Sequence, residues 1–279
     1  TLASTQKDIV VELLPVIGDV RSKLSLQMVF EEHHPEVVFH AAAHKHVPLM
    51  EAQPVEACSN NIFGTLNLME QCRENKVGRL VVLSTDKAVD PSSVMGATKR
   101  VTELLVHTSG QTGFTAVRFG NVLGSRGSVV PTLQKQIERG GPVTITSPEM
   151  SRYFMTIPEA VSLVLGAGAT AEGGEIYVLE MGKPVKIVSL AENLIRLFGL
   201  TPHKDIEMVY TGVRPGEKLF EDLVYSGESS TPSGLRGIVK VAPKSLSQDW
   251  PGDKLEELRR AVDQGDEKAT RKCLFALLD

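Results

Sequence analysis

Cysteine is scarce in this chain of 279 residues, and the three present, Cys58, Cys72 and Cys273, are odd in number and far apart. Without a C-x-x-C pair they support neither a disulfide framework nor a thiolate metal site, and they suit a reducing cytoplasm. Long apolar runs are lacking as well: none offers the roughly 20 consecutive apolar residues that a bilayer-crossing helix needs. The first residues lack the basic start and small-residue cleavage site of a secretory signal. There is no basic excess either, since 30 Lys and Arg stand against 34 Asp and Glu for a net charge of −4. That balance argues against a nucleic-acid or membrane-surface footprint. What is present is a soluble globular composition, 42% hydrophobic and 23% charged, with material for one large domain or two small ones. Small-molecule chemistry is the class it favours. The chain opens at Thr1 rather than Met, so it is expected to begin in mid-protein, with any anchor lying upstream.

Internal repeats are missing too, and the order along the chain is that of alternating strands and helices. Leu13 to Ile17, Val37 to His40 and Leu80 to Leu83 are short β-branched runs, each followed by a turn or polar segment, as parallel strands with crossover helices require. Helical spacing is predicted from Val55 to Cys72 and from Thr98 to Val106, and a fourth strand from Thr115 to Phe119. These are βαβ units. From Gly124 the texture turns to Gly, Ser and Pro-rich loops around a helix at Val130 to Arg139 and a strand at Pro142 to Thr146. Ile157 to Ala169 reads as a helix, Glu175 to Leu179 as a strand and Ile187 to Phe198 as a helix. The segment after Gly227 reads as polar loop through Lys244, and Asp253 to Leu277 as amphipathic helix. The expected architecture is a Rossmann-like, doubly wound parallel α/β sheet, N-terminally truncated, with a smaller substrate-binding subdomain. Residues 1–123 form the partial dinucleotide-binding domain, with 151–182 returning to it. Residues 124–150 and 183–279 form the substrate subdomain and helical tail.

One expected feature has no counterpart. A dinucleotide-binding fold opens with a strand, then G-x-G-x-x-G, then a helix whose N-terminus receives the pyrophosphate. Nothing before Gly18 has that pattern. Gly166-Ala-Gly168-Ala-Thr-Ala171 mimics the spacing, yet it ends the helical run from Ile157 instead of following a strand, so it is a decoy. His40, His44 and His46 cluster at a strand end without a defined ligand geometry or a cysteine among them, and no metal site is expected.

The chemistry is concentrated in Ser84-Thr85-Asp86-Lys87-Ala88-Val89-Asp90-Pro91, which leaves a strand end, and Met95-Gly96-Ala97-Thr98-Lys99-Arg100, which starts a helix. In open α/β sheets ligands bind in the crevice beyond the carboxyl ends of the strands, and Thr85, Asp86 and Lys87 are expected to point into it. Met95 and Lys99 are i,i+4 partners, so both can face one ligand.

Seven segments, AAAHKHVPLME, NNIFGTLNLME, STDKAV, MGATKR, RFGNVLGSRGSVVP, SRYFMTIPEA and RPGEKLFE, follow one another in this order. Over about residues 10 to 225 the chain thereby resembles the CapD/WbpM-type polysaccharide-biosynthesis proteins, NAD-dependent UDP-sugar 4,6-dehydratases of the extended short-chain dehydrogenase/reductase superfamily. The resemblance implies an internal redox cycle: C4 of the sugar is oxidised as hydride passes to NAD, water is eliminated across C5 and C6, and the hydride returns to C6. Most short-chain enzymes use Tyr-x-x-x-Lys. Here Met95 stands at the tyrosine position, and a thioether cannot accept the C4 hydroxyl proton. The Met form is similar to the membrane-associated branch.

By the same resemblance, Asp86 handles protons at the C4 or C6 oxygen, and Lys87 is the base for the C5 proton, a task for which a lysine needs a lowered pKa. Thr85 hydrogen-bonds the reacting oxygen, and Lys99 holds the nicotinamide ribose. Asp19 and Val20 correspond to the segment that meets the adenine. Ala41, Ala42 and Ala43 form a small-residue platform for NAD, with Lys45 and His46 nearby. Asn61 supports the strand ends. Asn121, Ser128 and Val129 approach the nucleotide sugar. Arg152 and Arg214 meet its diphosphate, a role suited to a planar fork of donors, and Glu217 binds the uridine ribose or steadies Arg214. The expected substrate is UDP-N-acetylglucosamine or a close N-acetylhexosamine relative, feeding capsule, O-antigen or other glycan assembly. The implied setting is a homo-oligomer without nucleic acid, in the cytoplasm or at the cytoplasmic face of the inner membrane in a longer protein.

Two rivals stand beside this reading: a nucleotide-sugar 4-epimerase on the same scaffold, and a non-catalytic fragment that binds UDP-sugar. The missing glycine turn further predicts that residues 1–279 bind NAD poorly and are of low stability, unless residues 1–12 or a partner chain fill the gap. Calorimetric titration is expected to find no micromolar binding of NAD, and ordinary micromolar affinity would refute the expectation.

Overall fold

The computed structural model describes residues 11–125, 127–243, 246 and 250–278. In chain order its helices are α1 (Lys23–His33), α2 (Val47–Ala52), α3 (Pro54–Cys58), α4 (Gly64–Glu74), α5 (Val94–Thr108), α6 (Val129–Glu138), α7 (Ile157–Thr170), α8 (Ile187–Leu197), α9 (Gly252–Asp263) and α10 (Glu267–Ala276). A π-helical turn, Ser59–Phe63, joins α3 to α4, so the predicted helix from Val55 to Cys72 is present with one widened turn. The strands are β1 (Val37–His40), β2 (Arg79–Leu83), β3 (Phe114–Arg118), β4 (Asn121–Val122), β5 (Val143–Ile145), β6 (Ser151–Arg152), β7 (Phe154–Met155), β8 (Ile176–Leu179), β9 (Val185–Lys186), β10 (Met208–Tyr210), β11 (Ser229–Pro232) and β12 (Ile238–Ala242).

The six-stranded sheet runs β1-β2-β3-β8-β12-β11. Its first four strands are parallel, and β12 and β11 add to β8 antiparallel. Both faces are covered at β2, β3 and β8, and the side chains divide by the period of two that a strand imposes. Leu80 and Val82 of β2 join the core beneath α3 to α5, α9 and α10. Val81 of β2, Val117 and Tyr177 pack on the other face with α7. A third apolar cluster, with Leu133, Ile137, Val143, Ile145, Ile195 and Ile206, gathers α6 and α8 around the parallel pair β5 and β10. No helix of the described residues is long and apolar enough to cross a membrane.

Two expectations are overturned. Leu13 to Ile17 is not a strand: residues 11–19 carry no regular structure, and Leu13 and Ile17 are exposed. A strand exists by hydrogen bonding to a neighbour, and among the described residues nothing pairs with this segment or with the outer edge of β1. The stretch from Gly227 to Lys244 is not merely loop, because it contains β11 and β12, and β12 extends the main sheet through β8. The decoy at Gly166 to Ala171 lies in and just after α7. Its small residues let the helix approach the sheet, since a Cβ at Gly168 would stand 2.8 Å from Cγ2 of Val81.

A charged network is buried where β3, α5 and the segment before β11 meet. Arg118, fully buried, donates to Glu103 through Nε (2.9 Å) and Nη2 (2.7 Å), and to Glu228 through Nη1 (2.8 Å) and Nη2 (2.9 Å). Arg100 bridges the same two carboxylates at 3.0 and 2.6 Å, and Ser84 at the end of β2 donates to Glu103 at 2.6 Å. Two guanidiniums and two carboxylates balance in charge, as burial demands. Burial alone would raise the Glu228 pKa, but the hydrogen bonds and charge of Arg118, with the charge of Arg100, bring it down to about 2.

A folded-state pKa below the unfolded one gives stability that is complete above the ordinary glutamate value of about 4.3 and lost as pH falls towards the folded value. Glu228→Gln is therefore expected to flatten the acid limb of stability. Arg118→Ala, which strands two buried carboxylates, is expected to cost about 3–5 kcal/mol. Denaturant unfolding followed from neutral to strongly acid pH checks both.

Candidate active site

The site begins where β2 ends. Thr85 leaves the strand in extended conformation and starts a single 3-10 turn, Asp86–Ala88. The backbone N–H groups of Ser84 and Asp86 donate to the carbonyls of Val117 and Phe119, so the turn is pinned to the end of β3. Helix α5 begins against it, with Ser93 capping the N–H of Gly96 at 3.1 Å. The fit is close: a Cβ at Gly96 would lie 2.2 Å from the carbonyl oxygen of Lys87. Only glycine permits that approach, and through it Met95 and Lys99 share a cleft with the 85–87 turn.

The cleft measures about 530 Å³. Of the residues singled out from the sequence, Ala41, Ala43, Lys45, His46, Thr85, Lys87, Met95, Lys99, Asn121, Ser128, Val129, Arg152 and Glu217 all line it. Lys87 Nζ donates to Asp86 Oδ1 at 2.9 Å, and Thr85 Oγ1 donates to the same oxygen at 2.9 Å. Burial lowers the Lys99 pKa to about 8, with Glu103 pulling partly the other way. Burial and the Lys99 charge lower His40 to about 4, so this imidazole, hydrogen-bonded to Thr65 at 2.9 Å, is neutral near pH 7. Asn61 ties the loop after β1 to α5, accepting from the His44 N–H at 2.8 Å and donating to the His44 carbonyl and Thr98 Oγ1, each at 3.0 Å.

Several expected positions lie elsewhere. Asp86 does not point into the cleft: it is fully buried, Oδ1 is held by Thr85 and Lys87, and Oδ2 has no partner. A Cβ at Gly120 would stand 3.1 Å from that Oδ2. Asp19 is tied by Arg21 in a two-oxygen pair at 3.1 to 2.7 Å, away from the cleft lining. Val20 packs against Gly64 instead, and its carbonyl accepts from Asn67. Ala42, the middle alanine, is not among the lining residues. Arg214 is exposed and outside the cleft. Its partner assignment survives only as a backbone contact, its N–H donating to Glu217 at 3.4 Å. Arg152 does reach the cleft, but its guanidinium already donates to the carbonyls of Ser151, Leu219 and Lys218 at 2.7 to 3.0 Å. It therefore fastens the loop carrying Glu217. His40, His44 and His46 turn to three different neighbours: Thr65, Glu56 and Gly127.

The family model described as polysaccharide biosynthesis protein matches residues 2–243. The chain belongs to this family. The capsular polysaccharide biosynthesis protein CapD of Staphylococcus aureus is 59% identical over 222 residues, which are 78% of this chain and 37% of that protein. The chain thus spans well under half of that relative's length. Among solved structures, Pen from Bacillus thuringiensis is 34% identical with a TM-score of 0.73, covering 83% of this chain and 73% of its own. The UDP-glucose 4-epimerase of Thermus thermophilus, solved with NAD, is 25% identical with a TM-score of 0.65, covering 81% of this chain and 79% of its own.

Sequence reasoning missed one lining residue of evident chemical interest. Glu221 follows Arg214-Pro215-Gly216-Glu217-Lys218 at the end of the same family segment, is buried, and lines the cleft. Spacing gave a signal, since Glu217 and Glu221 are four apart, but nothing in the sequence marks the second as buried. Lys218 between them anchors the loop, donating to the Val89 carbonyl at 3.0 Å.

The Lys99 environment predicts a pH effect. Between about 8 and the usual lysine value of 10.5, the unfolded chain holds a proton that the folded chain has released, so stability rises with pH across that window. Lys99→Met is expected to abolish the rise and to raise stability near neutral pH by up to about 3 kcal/mol, measured by denaturant unfolding across the window.

Proposed function

We propose that this chain carries the catalytic centre of an enzyme that removes water from UDP-N-acetylglucosamine, or a close UDP-N-acetylhexosamine, to give the 4-keto-6-deoxy sugar for capsule, O-antigen or other glycan assembly. The observation that carries it is the Thr85–Asp86–Lys87 hydrogen-bonded group beside Met95 and Lys99 on one cleft. Elimination across C5 and C6 needs a base for the C5 proton and a proton source for the departing oxygen. Lys87, with Nζ at the cleft, is in its neutral form the base that takes the C5 proton and returns it to C5 as C6 is reduced. Asp86 acts from behind: it receives the Thr85 hydroxyl proton as Thr85 takes that of the C4 hydroxyl, and gives it back through Thr85 to the departing C6 oxygen, which leaves as water. That route also answers the departure at Met95, whose thioether takes no proton: Thr85 Oγ1, backed by Asp86, meets the C4 oxygen.

The described residues suit one end of a dinucleotide. Ala41 and Ala43 leave a flat, small-residue wall at the end of β1, and the buried Lys99 ammonium lies on the same cleft, where it would hold the nicotinamide ribose. NAD held there would supply the hydride acceptor and donor that C4 and C6 require. The pyrophosphate end is not matched, since Gly18 is the only glycine before Gly64 and no glycine turn leads into α1. Substrate contacts fall to Asn121, to Val129 in the first turn of α6, where helix N–H groups favour an anion, to the Ser128 side chain, since its own N–H is held by the Ser125 carbonyl, and to Arg152 and Glu217. The UDP-sugar diphosphate is that anion.

The Thermus epimerase supports a second reading, 4-epimerisation on the same scaffold. Epimerisation needs no elimination base, so the Lys87–Asp86 pair favours dehydration. Mass spectrometry of UDP-N-acetylglucosamine incubated with the protein and NAD decides. Loss of one water supports the dehydratase, an isomer of unchanged mass supports the epimerase, and binding with neither leaves a non-catalytic UDP-sugar-binding protein. In a form of the protein that binds NAD, Asp86→Asn and Lys87→Ala are expected to lower turnover roughly 100- to 10,000-fold with little change in substrate binding. Full activity in either variant would reject that residue's role.

A further inference from the structure

Glu221 is the one carboxyl that the proposed chemistry leaves without a task although it stands in the cleft. Its side chain is 3% exposed. Oε1 lies 3.8 Å from Lys87 Nζ and 3.7 Å from Arg152 Nη2, beyond hydrogen-bond reach, and Oε2 is buried with no partner. A buried carboxyl oxygen without a partner is a costly arrangement, and the groups that could relieve it from the protein side are already committed. Asp86 holds Lys87 at 2.9 Å, Arg152 donates to three carbonyls, and Lys218 donates to the Val89 carbonyl. What remains to satisfy Oε2 is a ligand entering the cleft.

We infer that Glu221 is a further specificity-determining residue, hydrogen-bonding a hydroxyl of the sugar ring at the Lys87 end of the cleft. Charge chooses the sugar over the rest of a UDP-sugar, the ligand class taken from the proposed function. A carboxyl repels a diphosphate, so its partner belongs to an uncharged part of the molecule. Its Oε1 stands between Arg152 at 3.7 Å, whose guanidinium is already taken by three carbonyls, and Lys87 at 3.8 Å, which lies beside Thr85 and Met95 at the reacting end. Burial, reinforced by Asp86, raises the Glu221 pKa against the pull of Lys87, Arg152 and Lys218. The carboxyl can therefore donate to a sugar oxygen when protonated and accept from a sugar hydroxyl when ionised.

The test is calorimetric binding of UDP-N-acetylglucosamine and of UDP, which lacks the sugar. Glu221→Leu is expected to weaken UDP-N-acetylglucosamine roughly tenfold or more, the loss of one hydrogen bond to an ionisable group, and to leave UDP unchanged. Glu221→Gln, which keeps the shape and the hydrogen-bonding groups, is expected to retain most of the sugar's advantage over UDP, and it decides the matter should the leucine variant not fold. Equal losses for both ligands, or no loss with leucine, overturn the assignment, as does loss of the sugar's advantage in a folded glutamine variant. Sugar-dependent weakening in a protein that releases no water upholds Glu221 and removes the dehydratase reading. Water release with intact sugar binding in Glu221→Leu does the reverse, and a parent that binds neither ligand overturns both.

Discussion

Everything in the site hangs on the buried arginine and its two carboxylates. Arg118 sits on the last residue of β3, Glu103 on α5, and Glu228 just before β11, so one guanidinium holds together three parts of the chain distant in sequence. Charges so buried tolerate little displacement, because removing any partner leaves another uncompensated. Ser84 hangs from the same Glu103. The residue next along is Thr85, and the direction in which the chain leaves β2 is thereby set by a network lying behind the cleft, not in it.

From that fixed point the site follows by contact. Backbone bonds from Ser84 and Asp86 to the end of β3 hold the turn, and the absence of a side chain at Gly96 lets α5 start against the Lys87 carbonyl. Asp86 then has only one role open to it. Enclosed, with Gly120 beside its free oxygen, it reaches solvent or ligand through Thr85 and Lys87. The cleft presents a hydroxyl and an ammonium where the sequence alone suggested a carboxylate, and a buried carboxyl reaches the cleft from another segment, at Glu221.

What was legible in the sequence is what depends on local spacing. The β-branched run of Leu80 to Leu83 and the helical spacing of Ile157 to Ala169 and Ile187 to Phe198 place their elements within a residue or two, and the i,i+4 relation of Met95 and Lys99 puts both on one cleft. What was not legible depends on partners. Leu13 to Ile17 has the residues of a strand and no neighbour to bond. Ser229 to Pro232 is exposed along its length and polar, and is a strand only because β12 lies beside it. The burial of Asp86 and Glu221 likewise comes from segments far away in the chain, and no short motif encodes it.

The sheet edge and the cofactor side of the cleft form a single physical problem. β1 is the edge strand, with Val37 44% and Phe39 45% exposed, and the chain runs directly from its last residue, His40, into Ala41 and Ala43 on the cleft wall. An edge strand with unpaired N–H and C=O groups and apolar side chains open to water is the least constrained part of a sheet. The opposite end of the cleft rests on β2 and β3, paired on both sides and tied to Arg118. Among the described residues, strand pairing therefore falls across the cleft from the Lys87 side to the Ala41 side. The groups assigned to proton transfer stand on the half whose strands are paired on both sides, where a small misplacement is most damaging to catalysis, and the wall assigned to the dinucleotide stands on the half carried by the edge strand.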